Sequence, residues 1–181
     1  MRKTTLALAP LAAAALLPLA VGGTALAAAS TAGLAEQDQM FVNDAARGGI
    51  AEVEIGKLAE KKAESAEVKR FAGRMVKDHE EANRKLESAA KGETKGGLPA
   101  NPDEKDRMAM RTAEGLSGAK FDQAYMRDQI EAHVRTVELF QREAKDGQDQ
   151  ELRRLAEQTL PMLQEHLKEA RRVGDAIGAK S

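Results

Sequence analysis

The chain has 181 residues, 28 of them basic and 29 acidic, with three histidines and no cysteine. The lack of cysteine excludes a disulfide framework, a thiol nucleophile and a lipid-modified cysteine anchor. Basic and acidic residues alternate without a basic block and only 3% of residues are aromatic, so a nucleic-acid partner is excluded as well.

Residues 1–27 have the layout of a secretory signal peptide. Arg2 and Lys3 precede an uncharged run from Leu6 to Val21, and Ala25-Leu26-Ala27 supplies a small-x-small cleavage site. Pro10 and Pro18 interrupt the run, which argues against a permanent anchor. Cleavage behind Ala27 predicts a mature chain of net charge about −3, without a stable membrane span, that is secreted or held in the cell envelope. Residues 28–35 read as a flexible N-terminus and residues 36–177 as one domain.

Four long amphipathic helices follow. The first is predicted from about Glu36 to Glu64, and the second from about Ala66 to Lys91 with Ser65 as its N-cap. Gly92 to Pro99 reads as a loop, and a short helix is predicted from about Asp103 to Leu116. Ser117-Gly118 opens the third long helix, which ends near Asp146-Gly147; Asp149 caps the fourth, which fades at Gly174 or Gly178. No segment has strand periodicity, so the class is all-α. The short joins make each helix pair an antiparallel hairpin. A helix of about 25 residues is roughly 38 Å long, and the link from Gly92 to Gly118 can return along that length. Two hairpins with one long crossover containing a short helix is a ferritin-like four-helix bundle.

Each histidine lies on the apolar stripe of a different long helix. His79 shares a face with Phe71, Met75 and Leu86, His133 with Met126, Ile130 and Phe140, and His166 with Leu155, Leu163 and Val173. Glu52 stands on the corresponding stripe of the first helix, with Phe41, Ala45 and Ile55. Counted from Ser65, Glu52 lies 13 residues before and His79 lies 14 after, so the two sit at nearly one height. His133 is 13 residues before Asp146 and His166 is 17 after Asp149, an offset of about 6 Å, or one turn. Pro161 removes a backbone bond from the middle of the last helix and should kink it. Gly48 and Gly56 flank Glu52 at i−4 and i+4, which implies either close helix packing or room for a ligand.

Glu52, His79, His133 and His166 are therefore the candidate metal ligands, and by donor type they suit zinc, iron or copper. The alternative is a structural or interaction module whose histidines form a hydrogen-bonded core network. Met75-Val76-Lys77-Asp78-His79 and Met162-Leu163-Gln164-Glu165-His166 form a weak repeat. Their methionines could add soft ligands, although core filling is the simpler role. Asp78 and Glu165 lie about 100° around the helix from the histidines, toward the rim. No catalytic serine or cysteine motif is present, and nothing in the residues points to an enzyme.

The strings Ala45-Ala46-Arg47-Gly48-Gly49, Glu52-Val53-Glu54, Phe71-Ala72-x-x-Met75-Val76-x-Asp78-His79 and Leu160-Pro161-x-Leu163-x-x-His166-Leu167 resemble the exported bacterial family called domain of unknown function 4142. The resemblance covers essentially the whole mature chain. It implies a ferritin-like four-helix bundle and export, and it brings no activity. Di-iron proteins of the wider ferritin-like group place a glutamate three residues before a ligand histidine. Here those positions hold Val76, Ile130 and Leu163, which disfavours a ferritin-type iron oxidase. Sequestration of a metal or protection against oxidants remains as the expected role.

Overall fold

The computed structural model describes residues 33–91, 94 and 96–179; the signal sequence and its cleavage site lie outside them. Among the described residues there are five helices and no strand: α1 (Glu36–Lys62), α2 (Ala66–Ala89), α3 (Glu104–Glu114), α4 (Gly118–Asp146) and α5 (Gln150–Ala176). No helix among them is long and apolar enough to cross a membrane.

Short polar side chains start three of the helices by accepting an otherwise orphaned backbone N–H. Ser65 Oγ accepts from Glu67 N at 3.2 Å, Asp103 Oδ1 from Asp106 N at 2.8 Å and Asp149 Oδ1 from Leu152 N at 2.8 Å. α1 lacks such a cap but carries Glu36 and Asp38 in its first turn and Lys61 and Lys62 in its last, charges that suit the helix dipole at both ends. α5 continues through Pro161. Pro161 and Glu157, whose carbonyl loses its hydrogen bond, are both on the exposed face, where water can replace the lost donor.

α1 packs along α2 and α4 along α5, each pair antiparallel. Along α1 from Gly56 to Gly49 the facing residues on α2 run from Ala72 and Val76 to Asn83. In the other pair, Gln123 Nε2 donates to the Ile177 carbonyl at 3.0 Å while Gly147 makes the turn at the opposite end. The pairs meet through α1 against α4 and α2 against α5, and α3 rests on α1 and α4.

A reciprocal clasp fixes the heights of the two pairs. Asp122, in the first turns of α4, accepts from Glu64 N at 3.1 Å and Ser65 N at 2.7 Å, the turn between α1 and α2. Asp38, in the first turn of α1, accepts from Gln148 N and Asp149 N, both at 2.8 Å, the turn between α4 and α5. Both carboxylates are buried. Each pair thus stabilises the turn of the other.

The core is layered. One apolar cluster gathers Ala59, Val68, Phe71, Met75, Tyr125 and Ile130 with Ala170 and Val173 at the α1–α2 turn. The other gathers Phe41, Val42, Leu86, Phe140, Leu152 and Leu163 at the α4–α5 turn. In each of the four long helices a buried polar residue lies between the two: Glu52, His79, His133 and His166.

Asp122→Ala removes two charge-assisted bonds from the α1–α2 turn. It should lower the unfolding free energy by about 2–3 kcal/mol, with Asp122→Asn in between. Urea unfolding checks this; a change within about 0.5 kcal/mol would show that the clasp is not a stabilising element.

Candidate metal centre

His79 from α2, His133 from α4 and His166 from α5 converge in the polar layer. Their ring centroids are 5.5 Å (His79–His133), 5.5 Å (His79–His166) and 5.4 Å (His133–His166) apart. One ring nitrogen from each lies within 4.8 Å of one from each of the others. The one-turn offset between His133 and His166 does not prevent this, for a geometric reason. Helical side chains lean toward their own N-terminus, so in antiparallel helices they lean in opposite directions. His133 leans away from the α4–α5 turn and the more distant His166 leans back toward it.

Two of the rings are oriented by outward hydrogen bonds. His133 Nδ1 donates to the Gln129 carbonyl at 3.0 Å, and His166 Nε2 donates to Asp78 Oδ2 at 2.9 Å. Both acceptors lack a proton to give, so each bond fixes the N–H on the outward nitrogen. His133 Nε2 and His166 Nδ1 are left as lone pairs, and His79 Nε2 is the third free nitrogen. Among the described residues none of these three buried atoms has a hydrogen-bond partner.

Glu52 is buried in the same layer but stands beside the cluster's outer edge. Its Oε2 accepts from Gln129 Nε2 at 2.7 Å, and its Oε1 lies 3.8 Å from His133 Nδ1, the nitrogen turned away from the other rings. Gln129 therefore serves two members of the layer, Glu52 by its side chain and His133 by its carbonyl. It stands one turn before His133 on the same apolar stripe, and a polar residue there was the signal for it. Asp78 is the second residue that sequence reasoning missed. Its neighbour in sequence is His79, yet its hydrogen bond goes to His166 across the α2–α5 interface. Arg74 Nε donates to the same carboxylate at 3.3 Å, and Arg74 Nη1 donates to Glu169 at 2.6 Å, so the chain of bonds ends at the surface. Glu165 is exposed and pairs with Lys168. Met75 is buried in the apolar cluster with Phe71 and Tyr125.

The electrostatics follow from burial. Desolvation brings His79 and His166 down to about 4, against an ordinary value of 6.5, although Glu52 opposes this for His79 and Asp78 for His166. Burial pushes Asp78 upward, but the bonds from His166 and Arg74 outweigh it and hold Asp78 below the usual carboxylate range. Neutral imidazoles with free nitrogens are the protonation state in which histidine ligates metals.

The two glycines beside Glu52 have different surroundings. A Cβ on Gly56 would come within 2.8 Å of Val76 Cγ2 and 3.3 Å of the Ala72 carbonyl, so this glycine allows α1 and α2 to approach closely. A Cβ on Gly48 would meet nothing within 4 Å.

The chain belongs to the family described as domain of unknown function (DUF4142), which matches residues 23–173. Searches among curated proteins and among solved structures find no match.

The acid response of the metal-free chain follows in sign. His79 and His166 titrate near 6.5 when unfolded and near 4 when folded, so between those values the unfolded state holds more protons. Their contribution to stability is complete above 6.5 and is lost as pH falls toward 4. Glu143 works in the opposite direction, because burial and the neighbouring Asp38 raise it to about 7. A His79→Gln, His166→Gln variant should therefore lose less stability than the parent chain between pH 6.5 and 4. Urea midpoints measured across that range test this, and equal acid slopes in the two proteins would refute it.

Proposed function

We propose that this member of the family is an exported ferritin-like four-helix bundle, built from residues 36–177, that holds one transition-metal ion through His79 Nε2, His133 Nε2 and His166 Nδ1. The observation that carries the reading is the set of three buried nitrogens without partners, two of them turned inward as lone pairs by fixed outward bonds. A histidine core network needs donors, and this cluster is short of them. His133 and His166 present no inward N–H, and His79 could offer at most one. Each unsatisfied buried group costs roughly 1–3 kcal/mol, and a metal ion would satisfy all three at once.

The donor set fits the ion with a small adjustment. Corners at most 4.8 Å apart put a central ion no more than about 2.8 Å from each, against about 2.0–2.1 Å for a zinc–imidazole bond. A closing movement of at most about 0.7 Å per ring is needed, within reach of small side-chain rotations. Three neutral nitrogens suit zinc or copper ahead of iron, since no carboxylate belongs to the converging set. The buried Glu52 carboxyl stands 3.8 Å from His133 Nδ1, outside the converging set. Asp78 and the Gln129 carbonyl orient the ligand rings, as outer partners do in other histidine metal sites. A metal held this way is shielded from bulky solvent chelators, which supports a role in sequestration or oxidant protection outside the cytoplasm.

Untagged protein recovered from culture medium or cell envelope should begin near Ala28 and carry about one zinc or copper per chain. Stripped protein should take the metal back with a rise in melting temperature. His79→Ala, His133→Ala and His166→Ala should each weaken binding by tenfold or more, and Asp78→Asn by roughly 10–100-fold through ring orientation. Less than about 0.1 metal per chain for every metal offered, with no thermal shift, would leave the structural module as the better reading.

A further inference from the structure

Beside the polar layer, toward the α4–α5 turn and lined from all four long helices, lies a cavity of about 40 Å³. Its polar lining includes Asp44, Glu52, His79, Asn83, Thr136 and Thr159, and its apolar lining Phe140 and Leu163. Thr159 has its hydroxyl donated to the Leu155 carbonyl at 2.7 Å, so that side chain offers the cavity only acceptor capacity. A single water needs about 10–15 Å³ by this measure, so the cavity takes two or three waters or one ligand of comparable size.

Outside this cavity is a surface cleft of about 440 Å³ between α1, α4 and the start of α3, with Arg47, Asp106, Arg135 and Arg142 around it. The cavity and the cleft share five wall residues: Asp44, Gly48, Glu52, Thr136 and Leu139. Gly48 is the thin part of that wall. An alanine there would touch nothing within 4 Å and would raise helix stability by about 1 kcal/mol, so neither packing nor backbone conformation requires glycine. One residue further along, the situation is reversed, because a Cβ on Gly49 would lie 1.9 Å from Asn83 Oδ1. The wall is open at Gly48 and filled by Asn83 at Gly49.

We propose that Gly48 forms a portal through which a ligand of two or three heavy atoms, in the class of dioxygen or hydrogen peroxide, passes from the outer cleft to the inner cavity and binds the metal on its His79 face. This rests on the metal reading above. Three histidines leave a fourth position on a tetrahedral ion, and the cavity abuts one of the three ligand rings. The size of the cavity favours ligands of two or three heavy atoms over bulky chelators. The site would therefore keep its metal from competing ligands while admitting small oxidants.

The test uses the full mature chain loaded with copper(II), or with cobalt(II) in place of zinc, and azide as a three-atom probe followed by its metal charge-transfer absorption. The parent protein should bind azide saturably. Gly48→Leu should keep its metal content and melt no lower than the parent, yet bind azide more than about tenfold more slowly. Gly48→Ala should fall between them. Metal retained without azide binding in the parent protein would overturn the portal and leave the metal site standing. So would equally fast azide binding in Gly48→Leu. Failure to retain any metal would overturn both proposals, and the metal analysis of each sample shows which has failed.

Discussion

Two imidazole N–H groups leave the polar layer in opposite directions, one from His133 to the Gln129 carbonyl and one from His166 to the Asp78 carboxylate. Neither acceptor can return a proton, so both rings must present bare nitrogens to the interior. Everything distinctive about this core depends on that constraint. Buried histidines that donate to one another make a self-satisfied network; these two cannot donate inward at all. With His79 as the third ring, the interior holds electron pairs in excess of protons, an arrangement that could hold a cation.

The fold keeps this polar layer in place from both sides. Apolar clusters at each end exclude water, and Phe41 against Phe140 at 5.0 Å and Phe71 against Tyr125 at 6.2 Å anchor them. The reciprocal clasps of Asp38 and Asp122 set the heights of the helix pairs, and height decides whether three rings on three helices meet. A slip of one helical turn, about 5.4 Å, would be as large as the spacing between the rings. The turn clasps and the ring cluster are thus separate features of one bundle, the first supplying the alignment that the second requires.

Much of this was legible in the residues. The helix starts at Ser65 and Asp149 are marked by short acceptor side chains before apolar periodicity, and both make the capping bond; Asp103, read only as the approximate start of the short helix, makes one too. The stripe positions of Glu52, His79, His133 and His166 identified them as buried, which they are. The clasps are not legible, because Asp38 and Asp122 look like ordinary acids near a helix start until the opposite turn is brought to them. Helical angle places Asp78 at the rim, and it is partly exposed there; its bond to His166 belongs to the α2–α5 interface, which periodicity within one helix cannot describe. The short repeat around His79 and His166 suggested equivalent places in a duplicated hairpin. The clasps pair Ser65 with Asp149 instead, and by that count His166 lies three residues further along its helix than His79 does.

The tautomeric state of the rings tests this account most directly, and it can be measured without any metal. Long-range nitrogen–proton correlation spectra of the nitrogen-15-labelled, metal-free protein at neutral pH distinguish the protonated ring nitrogen from the bare one. His133 should carry its proton on Nδ1 and His166 on Nε2, leaving His133 Nε2 and His166 Nδ1 bare. An inward proton on either ring would supply the donor that a self-satisfied network needs, and would contradict the central claim.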